Sequence, residues 1–200
     1  MNKTRTVIGF RDIVLIALLT VLSIVIQLVT AIPFAAVPQL MMFVSVALIM
    51  LLCGPIYVLI MAKAPRRGAA FLFAGLMALY FIILGQVFIS ISYLICALLC
   101  ECVLLGDGYK KPLRITFAYM IFAAFYVLGS FLPYLVLAEQ YTQQLLASGV
   151  AQASITDMMR WFTSPVMLLL AALNACVFAA LGSFLGFKML KKHFRPAGAA

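Results

Sequence analysis

Acidic residues are scarce in this chain. Five of its 200 residues are Asp or Glu, one is His and one is Trp, and charges of both signs make up only 10%. A soluble chain carries about 25% charged residues, so a soluble domain is excluded. With 67% hydrophobic residues and a mean hydropathy of +1.22, the sequence is that of an integral membrane protein in contact with lipid. Catalytic signatures are missing as well. No G-x-x-x-x-G-K-[ST] loop is present to cradle a nucleotide, and no H-E-x-x-H is present to hold zinc. The lone histidine, His193, falls in a basic tail and leaves no base for a Ser or Cys nucleophile within the membrane. These absences exclude enzymes of those mechanisms. A chain that binds and moves a solute, drawing energy from a partner or an ion gradient, is expected to be no enzyme and to need no cofactor.

The five cysteines (Cys53, Cys96, Cys100, Cys102 and Cys176) all lie in apolar runs. Disulfide frameworks belong to small secreted domains with little core. Cys96 and Cys100 are one helical turn apart, but Cys102 points elsewhere and no histidine is near, so no metal site is expected. The net charge of +9 does not imply a nucleic-acid partner. Its lysines and arginines sit in short turns between apolar runs, the pattern that orients membrane proteins.

A spanning helix needs about 20 apolar residues. The sequence predicts an all-α membrane bundle forming a single domain over 1–200, with six spans at 13–31, 39–62, 69–84, 87–105, 115–137 and 165–187. The first run is longer than a cleavable signal's apolar core, although Val29-Thr30-Ala31 resembles a cleavage site. Gly54-Pro55 is expected to kink the second span rather than end it, and the apolar stretch 69–105 divides at Gly85-Gln86. Six spans put Lys3, Arg5, Arg11, Lys63, Arg66, Arg67, Lys110, Lys111, Arg114, Lys188, Lys191, Lys192 and Arg195 on one side, and only Arg160 on the other. The positive-inside rule then places both termini in the cytoplasm of a multi-pass cell-membrane protein.

Polar residues are costly in lipid, so their facing marks the bundle interior. Thr20, Ser23, Gln27 and Thr30 share one face of the first helix. Gln86, Ser90, Tyr93, Ala97 and Glu101 share a face of the fourth, and Tyr119, Ala123, Tyr126, Ser130 and Tyr134 a face of the fifth; Asn174 lies on the sixth. Gln27, Gln86, Ser90, Tyr93, Tyr126, Ser130 and Tyr134 fall in the outer halves of their helices. Together with Asn174 and Trp161 they are the candidate binding residues for a small molecule, able to hydrogen-bond a solute and to stack on a ring. The alternative is that they bond one another, or backbone, across helices. Glu101, near the basic end, is expected to pair with a neighbouring Lys or Arg; as the one carboxylate well inside a span, it is also the candidate ion site of a secondary transporter.

The stretch 138–164 is the one long segment that is neither apolar nor a short basic turn. It carries Glu139, Asp157, Arg160 and Trp161. Leu145, Leu146 and Val150, then Met158, Met159 and Phe162, supply apolar patches able to dock on the bundle, which makes the stretch an external cap and a gate over the pocket. A solvated loop or a helix lying on the membrane surface is the alternative. Small residues form further faces that let backbones approach: Ala70, Ala74 and Ala78 on the third helix, and Ala175, Ala179, Gly182 and Gly186 on the sixth. Internal packing and docking onto another membrane protein both use such faces.

This architecture resembles the substrate-binding S component of energy-coupling factor (ECF) transporters. The stretch CGPIYVLIMAKAPRRGAAFLFAGLMALYFIILG, residues 53–85, is similar to the MptD-like group. The resemblance implies a subunit that captures a micronutrient outside the cell. The tyrosines and Trp161 favour a planar heterocycle, vitamin- or nucleobase-like, and the lack of an outward basic cluster argues against a multiply charged phosphate. The subunit would work with a membrane-embedded T component and two cytoplasmic ATPase subunits, and would reorient in the membrane to deliver its ligand. It implies further that the loops at 32–38, 85–92 and 138–164 cover the ligand. Members use an A-x-x-x-A face on the first helix to meet the T component. Here Ala17 and Thr20 approximate it, with Val21 in place of the second alanine, and the Ala70, Ala74 and Ala78 face is the other candidate contact. A stand-alone, ion-coupled secondary transporter is the alternative function.

Overall fold

In the computed structural model, which describes residues 8–193, helices account for nearly the whole chain and no strand occurs among the described residues. Lys3, Arg5 and Arg195, assigned above to the basic side, lie outside this range. In chain order the helices are α1 (Phe10–Ala31), α2 (Val46–Lys63), α3 (Ala69–Ile83), α4 (Val87–Leu104), α5 (Pro112–Val136), α6 (Ala138–Ala147), α7 (Gln152–Phe162) and α8 (Pro165–His193). A π-helical segment, Leu40–Ser45, leads directly into α2, so Phe10–Phe34 and Leu40–Lys63 are each nearly continuous rods. Five helices are long and apolar enough to cross a membrane; α3, at 15 residues, is apolar but shorter. At 1.5 Å per residue it reaches only about 22 Å. Its ends are set by two left-handed glycines, Gly68 (φ 93°) and Gly85 (φ 74°), a conformation that side-chain-bearing residues rarely adopt.

The helix α2 is central. Its turns are apolar all round, as befits a helix enclosed by others, and its main neighbour is α8. Pro55 sits inside α2 without ending it, yet cannot donate to the Leu51 carbonyl one turn back. That carbonyl meets α8 at Gly182, where a Cβ would lie 2.7 Å from the Leu51 oxygen. The third-helix alanines pack inward as well. Ala70, Ala74 and Ala78 are each 1% exposed, so they cannot serve as a surface for a partner protein. Thr20 is equally buried and donates its hydroxyl to the Ile16 carbonyl at 2.7 Å, while Ala17 is half-buried. The partner face anticipated at Ala17 and Thr20 is therefore mostly turned into the bundle.

Residues 138–164 form α6 and α7, joined through Gly149 (φ 80°), and the pair packs across the ends of α5 and α8. Docking falls to α7, through Ile155 and Phe162, both buried, with Met158 half-buried beside them. Leu146 and Val150, anticipated as docking residues, are each 38% exposed. The opposite end of the bundle gathers the N-terminus of α1, the C-termini of α2, α4 and α8, and the N-termini of α3 and α5. There Asp12 accepts the Gly9 amide at 3.0 Å and pairs with Arg66 at 2.5 Å, tying α1 to the α2–α3 turn.

Candidate functional site

Beneath α6 and α7 lies a cavity of about 350 Å³. Every helix that bounds it contributes the end nearest the cap: α1 through Gln27 and Ala31, the π segment through Met41 and Ser45, α3 through Tyr80 and Phe81, α4 through Gln86 and Ile89, and α5 through Tyr126, Ser130 and Tyr134. Tyr141 of α6 and Met158 and Phe162 of α7 complete the wall. The cap is held by rings. Phe162 lies 4.9 Å from Phe131 and 5.1 Å from Tyr134, and Tyr134 lies 4.6 Å from Tyr141, within the range of favourable aromatic pairs.

Of the nine anticipated binding residues, five reach this wall: Gln27, Gln86, Tyr126, Ser130 and Tyr134. Gln27 is 6% exposed, whereas Gln86 sits exposed at the α3–α4 turn. The other four stand elsewhere. Ser90 is buried one turn below and donates its hydroxyl to the Gln86 carbonyl at 3.0 Å. Tyr93 is fully buried under the wall, stacked on Phe81 at 5.6 Å and tilted against Phe122 at 4.8 Å. Its hydroxyl has no hydrogen-bond partner among the described residues. Asn174 donates its amide to the Phe43 carbonyl at 2.9 Å, tying α8 to the π segment rather than facing the cavity. Trp161 is half-buried against the core, one residue short of the wall-forming Phe162.

Sequence reasoning missed Ser45, Tyr80, Phe81 and Tyr141. The first three sit in apolar runs with no periodic polar partner to reveal their facing. Tyr141 was available as the aromatic within the glutamine-rich stretch of the cap.

The electrostatics of the wall are simple: none of its residues is Asp, Glu, Lys, Arg or His. Glu139, Asp157 and Arg160 of the cap are exposed and do not line it. Glu101, expected to pair with a Lys or Arg, instead accepts the Tyr109 hydroxyl at 2.6 Å and the Phe71 amide at 3.1 Å, at the basic end of the bundle. Burial, followed by the hydrogen bond to Glu101 and its charge, pushes the Tyr109 hydroxyl well above the usual tyrosine range. No cluster of His, Cys, Asp or Glu able to hold a metal occurs among the described residues.

These features define a helical integral membrane protein with a small uncharged cavity lying beneath a two-helix cap. The chain belongs to the Trep_Strep family of hypothetical bacterial integral membrane proteins, whose model matches residues 10–195. It matches no curated protein and no solved structure.

Proposed function

We propose that this chain is the substrate-binding subunit of an ECF-type ABC importer. It crosses the cell membrane six times, α3 being the short crossing, with both termini in the cytoplasm and α6–α7 outside. It takes a small micronutrient from the exterior into the capped cavity. It has no energy source of its own and depends on a T component and two cytoplasmic ATPases. The observation that carries this reading is the convergence of Gln27, Gln86, Tyr126, Ser130 and Tyr134 on one cavity under α6–α7, at the end of the bundle away from the basic turns. A buried, mostly apolar site with a few convergent polar groups is the usual form of a small-molecule site.

The surface offered to a T component is the outer face of α1, where Leu18 is 66% exposed and Val21 57% exposed, beside a groove floored by Val14, Leu15, Leu18 and Leu59 and edged by Arg11 and Lys63. The test is affinity purification of the full chain from its native membrane. Recovery of a T component together with two ATPase subunits is expected, as is loss of solute uptake when the ATPases are inactivated. A chain that purifies without either and still drives uptake in vesicles carrying an ion gradient is instead a secondary transporter.

A further inference from the structure

The cavity has features that select among solutes. Its wall carries hydrogen-bonding groups but no ionisable acid or base of ordinary physiological charge. Gln27 is 6% exposed and lines the space, yet the only hydrogen-bond partner of its carboxamide among the described residues is the Met77 sulfur, at 3.8 Å. A thioether is a weak acceptor, so the carboxamide keeps most of its capacity to donate and accept for a solute entering the cavity that it lines. Ser45, 2% exposed and on the same wall, makes no side-chain hydrogen bond among the described residues. Both groups face a space flanked by the rings of Tyr80, Phe81 and Tyr126.

We propose that the cavity selects an uncharged planar heterocycle whose amide or lactam edge pairs with the Gln27 carboxamide, and that it rejects the carboxylated or phosphorylated forms of such rings. This rests on the receptor reading above and sharpens it to a substrate class. An amide edge offers a donor and an acceptor side by side, which matches the two functions of a carboxamide and displaces the weak sulfur contact. Flat rings fit between aromatic walls. A cavity of about 350 Å³ is at the small end of the roughly 300–1,000 Å³ typical of ligand sites, which favours one ring or a fused pair. A carboxylate or phosphate entering this wall would lose its water and meet no compensating cation, a cost that hydrogen bonds to neutral groups do not offset.

The test is binding by calorimetry and thermal shift on the purified full chain in nanodiscs, using pairs at neutral pH that differ mainly by one charged group: nicotinamide against nicotinate, uracil against orotate, pyrazinamide against pyrazinoate. A neutral member is expected to bind at least roughly a hundredfold more tightly than its charged counterpart. Gln27→Leu is expected to weaken that binding roughly tenfold while leaving the melting temperature of the free protein close to wild type. Should Gln27→Leu fail to fold, Ser45→Ala is expected to weaken binding in the same sense. A charged member that binds as well as its neutral partner, or unchanged binding in the Gln27 or Ser45 variant, overturns the selection proposed here and leaves the receptor reading standing. No binding by any member of any pair to folded protein overturns the substrate class, and overturns the receptor reading too if the T component and ATPase subunits also fail to co-purify.

Discussion

Tyr109 donates a 2.6 Å hydrogen bond to Glu101, and the same carboxylate oxygen accepts the Phe71 amide in the first turn of α3. The Ala70 amide meets the Tyr109 hydroxyl at 3.4 Å. The residue before α3 is Gly68, which has no side chain to satisfy these first-turn donors. The end of α4 and the turn after it therefore cap α3 from outside, and the negative carboxylate sits where the helix dipole favours it. Glu101 is thus occupied as a structural cap. Glu101→Gln is expected to cost about 1 kcal/mol of stability or less and to leave solute uptake near wild type. Glu101→Ala, which strands the Phe71 donor, is expected to cost about 1–3 kcal/mol. Thermal melts with a parallel uptake assay separate the cases: uptake abolished in Glu101→Gln with binding intact would assign the residue to ion coupling instead.

The same pair makes the basic end sensitive to alkali. Tyr109 keeps its proton more tightly in the folded chain than at its ordinary value of 10.0. As pH rises past that value the unfolded chain loses this proton first, so stability is complete below it and falls above it. Melting curves from about pH 8 to about pH 11 should show wild type losing stability faster than Tyr109→Phe, because the variant has no hydroxyl to titrate there. Other tyrosines contribute equally to both proteins, so the difference reports this one. Parallel curves would mean that neither burial nor the hydrogen bond to Glu101 holds the proton.

Between α2 and α8 the backbones themselves touch. A Cβ at Gly54 would lie 2.4 Å from the Gly182 carbonyl carbon, and one at Gly186 would lie 2.8 Å from the Pro55 Cα. Neither neighbour is a side chain able to swing away. Gly54→Ala is therefore expected to push the two helices apart and cost about 1–3 kcal/mol, read as a lower melting temperature and poorer yield from the membrane. Gly75 on α3 is the control, since nothing lies within 4 Å of its would-be Cβ. Gly75→Ala should be neutral or stabilise by up to about 1 kcal/mol. Equal losses in the two variants would show that the α2–α8 contact is not special.

What the sequence revealed of the site follows from cost. Gln27, Tyr126, Ser130 and Tyr134 have polar groups that lipid does not solvate, and their three- and four-residue spacing marks one side of each helix, so their approach to a common space was legible. Tyr80 and Phe81 were not, because α3 is apolar on every side and such a run has no preferred face. Asn174 was misassigned for a different reason. Its partner is the Phe43 carbonyl in a π-helical segment, 131 residues earlier, and no local pattern signals a backbone acceptor so distant in the chain. The alanines of α3 illustrate a third limit. Small residues mark close approach, but spacing alone does not say whether the approaching helix is internal or foreign.

The cap is held to the bundle by few groups, which makes its opening accessible to mutation. Phe162 is 3% exposed, packs on both Phe131 and Tyr134, and also lines the cavity. The α6–α7 joint turns at Gly149, with nothing within 4 Å of its would-be Cβ, so the joint itself is unpacked and Ile155 and Phe162 carry the docking of α7. Phe162→Ala removes the ring that both latches the cap and closes over the solute. Truncating a buried Phe costs about 3–5 kcal/mol in a rigid core. Here part of that is spent locally, on undocking α7 rather than on unfolding the bundle. The solute's dissociation rate is expected to rise at least roughly tenfold, one decade for each 1.4 kcal/mol lost, while association changes little. Stopped-flow binding with the solute identified in the paired screen measures both rates. An unchanged dissociation rate would mean that α6–α7 does not retain the ligand, and closure would then have to come from Gln86 and the α3–α4 turn at the rim of the cavity.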